Sequence, residues 1–173
     1  MNIKQAIAAV NQMCTDGVIQ TYAIGGAVGA TFYLEPMATE DVDVFIEVAT
    51  EHAAHPLDPF GPVNRYLKAR GHAFEGPYII IAGWPVQFLP VTSPLVKEAL
   101  DQAIEKDVDG IPARVFTAEH LAAIALETGR PKDKARLLLF LSSETLNPAT
   151  FDGILKRHTL ADKFVLFKKQ FEL

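Results

Sequence analysis

Residues 22 to 48 read YAIGGAVGATFYLEPMATEDVDVFIEV, and they place Asp41 and Asp43 in a run that otherwise belongs in a buried strand. In DVDVFIEV, Val42, Val44, Ile46 and Val48 alternate with Asp41, Asp43, Phe45 and Glu47, so both carboxylates project from one strand face. Two residues of strand rise put their Cβ atoms about 7 Å apart. Aspartate is depleted in strands, and two on one face repel unless positive charge sits between them. A divalent cation meets that need. Mg²⁺ takes hard carboxylate oxygens, keeps several waters and completes its shell with phosphate oxygens. An edge strand with a solvated polar face would explain the same residues without a metal. Just upstream, TYAI runs into Gly25-Gly26 and a short apolar helix. Exposed N–H groups there favour a phosphate, and the missing Cβ lets its oxygens approach.

Hydrophobic period and punctuation predict the elements that must hold these groups. Helices are expected over 3–15, 26–34, 60–70 and 94–106, the last opened by Ser93 as N-cap and Pro94 at the first helical position. Strands are expected over 18–24, 41–48 and 112–116, with two more in YIIIAGWPVQFLPV around a turn at Gly83. A strand over 86–89 lying beside 41–48 would bring Gln87 to the face of Asp41 and Asp43. From 117 onward the pattern is helical, through TAEHLAAIALETG, PKDKARLLLFLSSE and two shorter pieces between 148 and 171. The expected class is α+β, a mixed sheet with helices followed by a helical C-terminal part. Residues 1–116 form the expected core and 117–173 the helical extension.

Composition sets outer bounds. The 173 residues, 49% of them apolar and 21% charged, are enough for a substantial core. The net charge of −5 is uneven, because residues 1–129 hold 7 basic and 16 acidic residues while 130–173 hold 9 and 5. The acidic part suits a cation and the basic tail suits phosphates. Asn11, Gln12 and Asp16 interrupt the first helix, so no signal peptide or membrane span is expected there, and the expected compartment is the cytoplasm. Cys14 is the only cysteine and reads as a small apolar helix residue. The five histidines show no HExxH or H-x-x-x-H spacing; His52 and His55 read as solvated loop residues. Asp107 and Asp109 repeat the D-x-D spacing, but a following Gly-Ile-Pro marks a solvated turn. Trp84 reads as core. No Gly-x-Ser-x-Gly, Walker loop or Rossmann fingerprint occurs.

IGGAVGATFYLEPMATEDVDVFI resembles the signature of the nucleotidyltransferase superfamily, specifically its small bacterial members related to abortive-infection toxin enzymes. The shared parts are Gly25 and Gly26, a short helix, and Thr39 two residues before the Asp41-x-Asp43 strand. EHLAAIALETGRPKDKARLLLFL resembles the helical segment that follows the catalytic sheet in those proteins, with its Arg-Pro-Lys-Asp turn at Arg130 to Asp133. The resemblance covers roughly residues 20 to 140. It implies a small mixed sheet flanked by helices, Mg²⁺ on Asp41 and Asp43, and transfer of a nucleoside monophosphate from a nucleoside triphosphate to an acceptor that is an RNA, a protein or a small molecule. Gly25 and Gly26 would cradle the β/γ-phosphates, Thr39 would donate to one, and Lys132 and Arg136 would meet them from the opposite side. Such enzymes usually carry a third carboxylate on a neighbouring strand. Gln87 stands in its place, and an amide cannot take a proton at neutral pH. Arg136 stands where relatives often have an acidic residue, and Ala125 where many have a lysine. The alternative expectation is therefore a catalytically degenerate nucleotide- or partner-binding protein of a toxin–antitoxin type, its partner an antitoxin or a second copy of the chain.

Overall fold

A computed structural model describes residues 2–36, 38–48, 58 and 60–172 of the chain. In chain order its elements are α1 (Ile3–Thr15), β1 (Ile19–Ile24), α2 (Gly26–Ala30), β2 (Val42–Val48), α3 (Gly61–Ala69), β3 (Ala73–Glu75), β4 (Tyr78–Ile81), β5 (Trp84–Pro90), α4 (Pro94–Asp101), β6 (Ile104–Val108), β7 (Ile111–Val115), α5 (Ala118–Thr128), α6 (Pro131–Ser142), α7 (Pro148–Arg157) and α8 (Ala161–Gln170). His52 and His55 lie outside the described residues. Among the described residues no helix is long and apolar enough to cross a membrane.

The strands form one seven-stranded mixed sheet in the order β3-β4-β5-β2-β1-β7-β6. This is the expected α+β class, with helices on both faces. Strand β2 is the middle strand, antiparallel to β1 and parallel to β5. Its alternation therefore divides two interiors. Val42, Val44 and Ile46 pack with Ala6, Ile7 and Val10 of α1 and with Val63 and Leu67 of α3. The opposite face, which carries Asp41, Asp43 and Phe45, looks toward the apolar cluster built from α4 through α8. An edge position does not explain the two aspartates.

Four elements differ from the expectation: α4 and α2 are shorter, and β6 and β3 were not foreseen. The helix predicted over 94–106 stops at Asp101, because Ile104–Val108 pairs with β7 from Ile104↔Val115 to Val108↔Ile111. Asp109 and Gly110, both at positive φ (51° and 84°), make the two-residue hairpin turn, and Gly110 N–H donates to Asp107 Oδ1 at 3.1 Å. Local helical period could not reveal that an outer strand was needed to cover β7. At the other edge, Ala73–Glu75 pairs with β4, and α2 ends at Ala30 rather than 34.

The C-terminal helices are tied to the rest through Glu98 of α4. Arg157 donates to both its oxygens (2.5 and 3.3 Å), His158 Nε2 lies 2.7 Å away and His120 Nε2 3.4 Å away. The Arg157 hydrogen bond is the largest influence on Glu98; it outweighs burial and, with His158 and His120, holds the carboxyl at about 2. Burial pushes the His120 imidazole below its ordinary 6.5 despite Glu98 beside it. Only 1% exposed, the neutral ring is fully satisfied when Nε2–H donates to Glu98 and Nδ1 accepts from the Thr117 hydroxyl at 2.8 Å.

The signs of these shifts fix a pH dependence. His120 is neutral in both states above its ordinary value, so stability falls as pH drops through 6.5, where the unfolded chain takes up the proton more readily. A second loss accompanies Glu98 as pH falls from 4.5 through about 2. Urea denaturation at a series of pH values should resolve both, and His120→Gln should remove the upper loss while leaving the lower. An upper loss unchanged in His120→Gln would assign it to another group.

Candidate functional site

Asp43 sits level with Gln87 of the adjacent parallel strand. Extending the β4–β5 register by one residue from Ile79↔Val86 sets Tyr78 level with Gln87, and Tyr78 pairs in turn with Glu75. A row of polar side chains thus crosses four strands on one face. Asp41 is held at the entrance to β2 by Thr39, whose hydroxyl donates to the Asp41 carbonyl at 3.0 Å and lies 3.4 Å from its Oδ1. The single hydroxyl proton of Thr39 is engaged there. Gly26, at φ +58°, lies so close to Asp43 that a Cβ would overlap Oδ2. At Gly25 a Cβ would fall 2.6 Å from Phe45 Cε2, and its N–H donates to the Asp43 carbonyl at 3.0 Å. The groups that exclude a side chain from the glycine pair are therefore Asp43 and Phe45, a reason internal to the chain.

The facing wall is the start of α6. Gly129 ends α5 in the left-handed conformation (φ 64°), and Pro131 opens α6 at a position where no N–H is needed. That short connection sets Arg130, Lys132 and Asp133 around the first turn and Arg136 one turn later. Asp133 is 1% exposed and accepts from Thr128 Oγ1 (2.8 Å), Arg130 Nε (2.5 Å) and Arg136 Nη1 (3.2 Å). Burial alone would raise its pKa, but the Arg130 and Thr128 hydrogen bonds prevail and hold it below the usual carboxylate value. Asp133 is thus an anion that orients two guanidinium groups. The Arg136 side chain is only 11% exposed, and its buried Nε has no hydrogen-bond partner among the described residues.

Between the walls lie two adjoining cavities of about 650 and 570 Å³ that share Asp41, Asp43, Tyr78, Arg130, Lys132 and Arg136. The first adds Thr39, Glu40 and Glu75; the second adds Gly26, Gln87, Phe45, Phe116 and Ile124. Phe45 and Phe116 pack with their rings tilted by 42° and their centroids 4.9 Å apart. Burial raises the Asp43 pKa and Asp41 adds to it, while Lys132, Arg136 and Arg130 pull it back. Among the described residues no ion pair joins Asp43 to those cations, so they act across a gap. No group of three or more His, Cys, Asp or Glu is placed to hold a metal among the described residues. Two hard carboxylates in an open cavity fit Mg²⁺, which keeps waters and accepts phosphate oxygens, and do not fit an all-protein zinc centre.

Asp41, Asp43, Gln87, Gly26, Thr39, Lys132 and Arg136 all line this cleft, whereas Gly25 lies behind it against Phe45. Sequence reasoning assigned no role to Tyr78, Arg130 or Asp133. Tyr78 follows a hairpin turn that period alone does not reveal. The Arg-Pro-Lys-Asp turn was visible, but the burial of Asp133 was not. Gly26→Ala should cost about 1–3 kcal/mol, since it combines positive φ with displacement of a carboxylate. It should also abolish Mg²⁺-dependent anion binding, read by calorimetry; unchanged binding would mean that the Asp43 position does not matter.

Neither a protein-family model nor a curated protein sequence matches the chain. Solved structures do. An antigenic nucleotidyltransferase-like protein from Paracoccidioides brasiliensis superposes with a TM-score of 0.54 at 17% identity, over 92% of this chain and 90% of that one. The antibiotic-resistance factor ANT(2'')-Ia superposes in its solution structure with a TM-score of 0.54 at 11% identity, over 98% and 96%. Its crystal structure with adenylyl-2''-tobramycin gives 0.55 at 13%, over 99% of both chains. At such identities the likeness carries the fold: the chain has a nucleotidyltransferase-like architecture over nearly its whole length.

Proposed function

We propose that this cleft binds a nucleoside triphosphate with Mg²⁺ and transfers the nucleoside monophosphate to a hydroxyl-bearing acceptor. One observation carries the reading: Asp41 and Asp43 on the central strand face Arg130, Lys132 and Arg136 across shared cavities. Carboxylates set against a cationic wall across a gap are what a metal–polyphosphate ligand requires, with the metal end on one side and phosphate oxygens on the other. Bound Mg²⁺ would neutralise phosphate charge and polarise the phosphoryl group. Arg130 and Arg136, preset by Asp133, and Lys132 would orient the phosphates. The apolar lobe of Phe45, Phe116 and Ile124 offers a surface for the nucleoside.

In the transfer the acceptor oxygen bonds to the α-phosphorus, the bond from that phosphorus to the bridging oxygen breaks, and pyrophosphate leaves with the electron pair. The acceptor's proton leaves to a carboxylate of the cleft or to water, because Gln87 cannot take it. The Gln87 amide, level with Asp43, is positioned to orient the acceptor hydroxyl. That same neutral residue favours the second reading, a degenerate protein that binds nucleotide and acts through a partner, an antitoxin or a second copy of itself. Pyrophosphate release separates the two readings.

ATP is the first triphosphate to test, since the ANT(2'')-Ia structure carries an adenylyl product. Asp41→Asn with Asp43→Asn should remove Mg²⁺-dependent triphosphate binding in titration calorimetry while leaving the melting temperature unchanged or higher, because it relieves like-charge repulsion in the sheet. Incubation of wild type with labelled triphosphates, Mg²⁺ and RNA, protein and small-molecule acceptors would identify the class modified. Binding that survives the double substitution would remove this cleft from consideration.

A further inference from the structure

We infer that the cleft holds one divalent cation per nucleotide, and that the half-buried Arg136 guanidinium takes the charge-stabilising part a second ion would play. The inference rests on the nucleotide-binding reading above. Sites that clamp an in-line displacement with two metals hold the ions about 3.5–4 Å apart on ligands able to reach both. Glu40 and Glu75 also line the first cavity, but among the described residues neither joins Asp41 and Asp43 in a group placed to hold a metal. The side chain level with Asp43 on the next strand is the neutral amide of Gln87. Asp133, the nearly fully buried carboxylate of the second cavity, is already engaged by Thr128, Arg130 and Arg136. No third His, Cys, Asp or Glu joins the aspartate pair in a metal-holding group among the described residues.

Arg136 supplies what is missing on the other wall. It lines both cavities with the aspartates, is steadied from behind by Asp133 at 3.2 Å, and buries an Nε donor with no acceptor among the described residues. With Nη1 held by Asp133, the remaining guanidinium Nη donors are the ones an anionic oxygen entering the gap would meet. Guanidinium is permanently charged and presents a planar fork to two oxygens of a phosphate, so it neutralises the leaving pyrophosphate without a third carboxylate. A second cation in the same gap would face Arg136, Lys132 and Arg130 as like charges.

Mn²⁺ in place of Mg²⁺, counted by electron paramagnetic resonance with an α,β-methylene triphosphate, tests the count without turnover. Wild type should bind one Mn²⁺ per chain with no spin-coupled pair. Arg136→Ala should weaken triphosphate binding roughly tenfold or more, and Arg136→Lys, which keeps charge and bulk but not the fork, should recover part of that loss. Gln87→Asp combined with Arg136→Ala should take up a second, coupled Mn²⁺, with melting curves verifying that each variant is folded. Two Mn²⁺ per wild-type chain, or unchanged triphosphate affinity in folded Arg136→Ala, would overturn the inference while leaving nucleotide binding intact. Absence of any Mn²⁺-dependent triphosphate binding by wild type would instead overturn the nucleotide reading, and the inference with it.

Discussion

Two like charges on one face of a central strand are the constraint around which the cleft is built. Asp41 and Asp43 cannot turn away, because the other face of β2 is committed to Val42, Val44 and Ile46 in the core against α1 and α3. A one-residue slip of register would exchange the two sets and bury the carboxylates among those apolar residues. Packing of the valine face therefore holds the carboxylates in place, and the neighbouring structure adapts to them. Gly26 is without a side chain where Asp43 needs the space, and Thr39 closes the turn that delivers Asp41.

Repulsion between the carboxylates is met from the opposite wall, which needs an anchor of its own. Three cations converging on one cavity would also repel each other. Asp133 resolves this by sitting beneath Arg130 and Arg136 as a buried, hydrogen-bonded anion. Because its oxygens take bonds from Thr128 and both arginines, Arg130 is held through Nε and Nη2 and Arg136 through Nη1 alone, and each guanidinium keeps other donors for a ligand. Asp133 is thus a positioning residue. It touches no reacting atom, yet it decides where Arg130 and Arg136 stand.

The legible parts of the molecule were those with local signatures. Alternation in DVDVFIEV located the central strand and its polar face, Ser93-Pro94 located the start of α4, and Gly129 with Pro131 marked the α5–α6 junction. Parts that depend on contacts distant in sequence were not legible. The residues of β6 read as a continuation of a helix until β7 required a partner, and β3 had no period of its own across three residues. In the cleft, residue types with an evident charge chemistry stood out, whereas the burial of Asp133 follows from how α6 meets α5. The reason for glycine at 25 and 26 also differs from the expectation: the space serves Phe45 and Asp43 rather than a phosphate.

The uneven charge along the chain acquires a cause in the folded molecule. Among the described residues, acidic groups of the first 129 positions and basic groups of the last 44 meet at two places. At one, Arg157 closes on Glu98 and pins α7 to α4, a direct contact that leaves Glu98 fully engaged. At the other, Arg130, Lys132 and Arg136 approach Asp41 and Asp43 without pairing with them. The same complementarity is thus closed where it serves stability and left open where a ligand can enter. Had the cations of α6 reached the aspartates directly, the cleft would be a buried salt-bridge network with little reason to admit a polyphosphate. The Asp133 clamp holds Arg130 and Arg136 back and leaves room for a metal-bound anion.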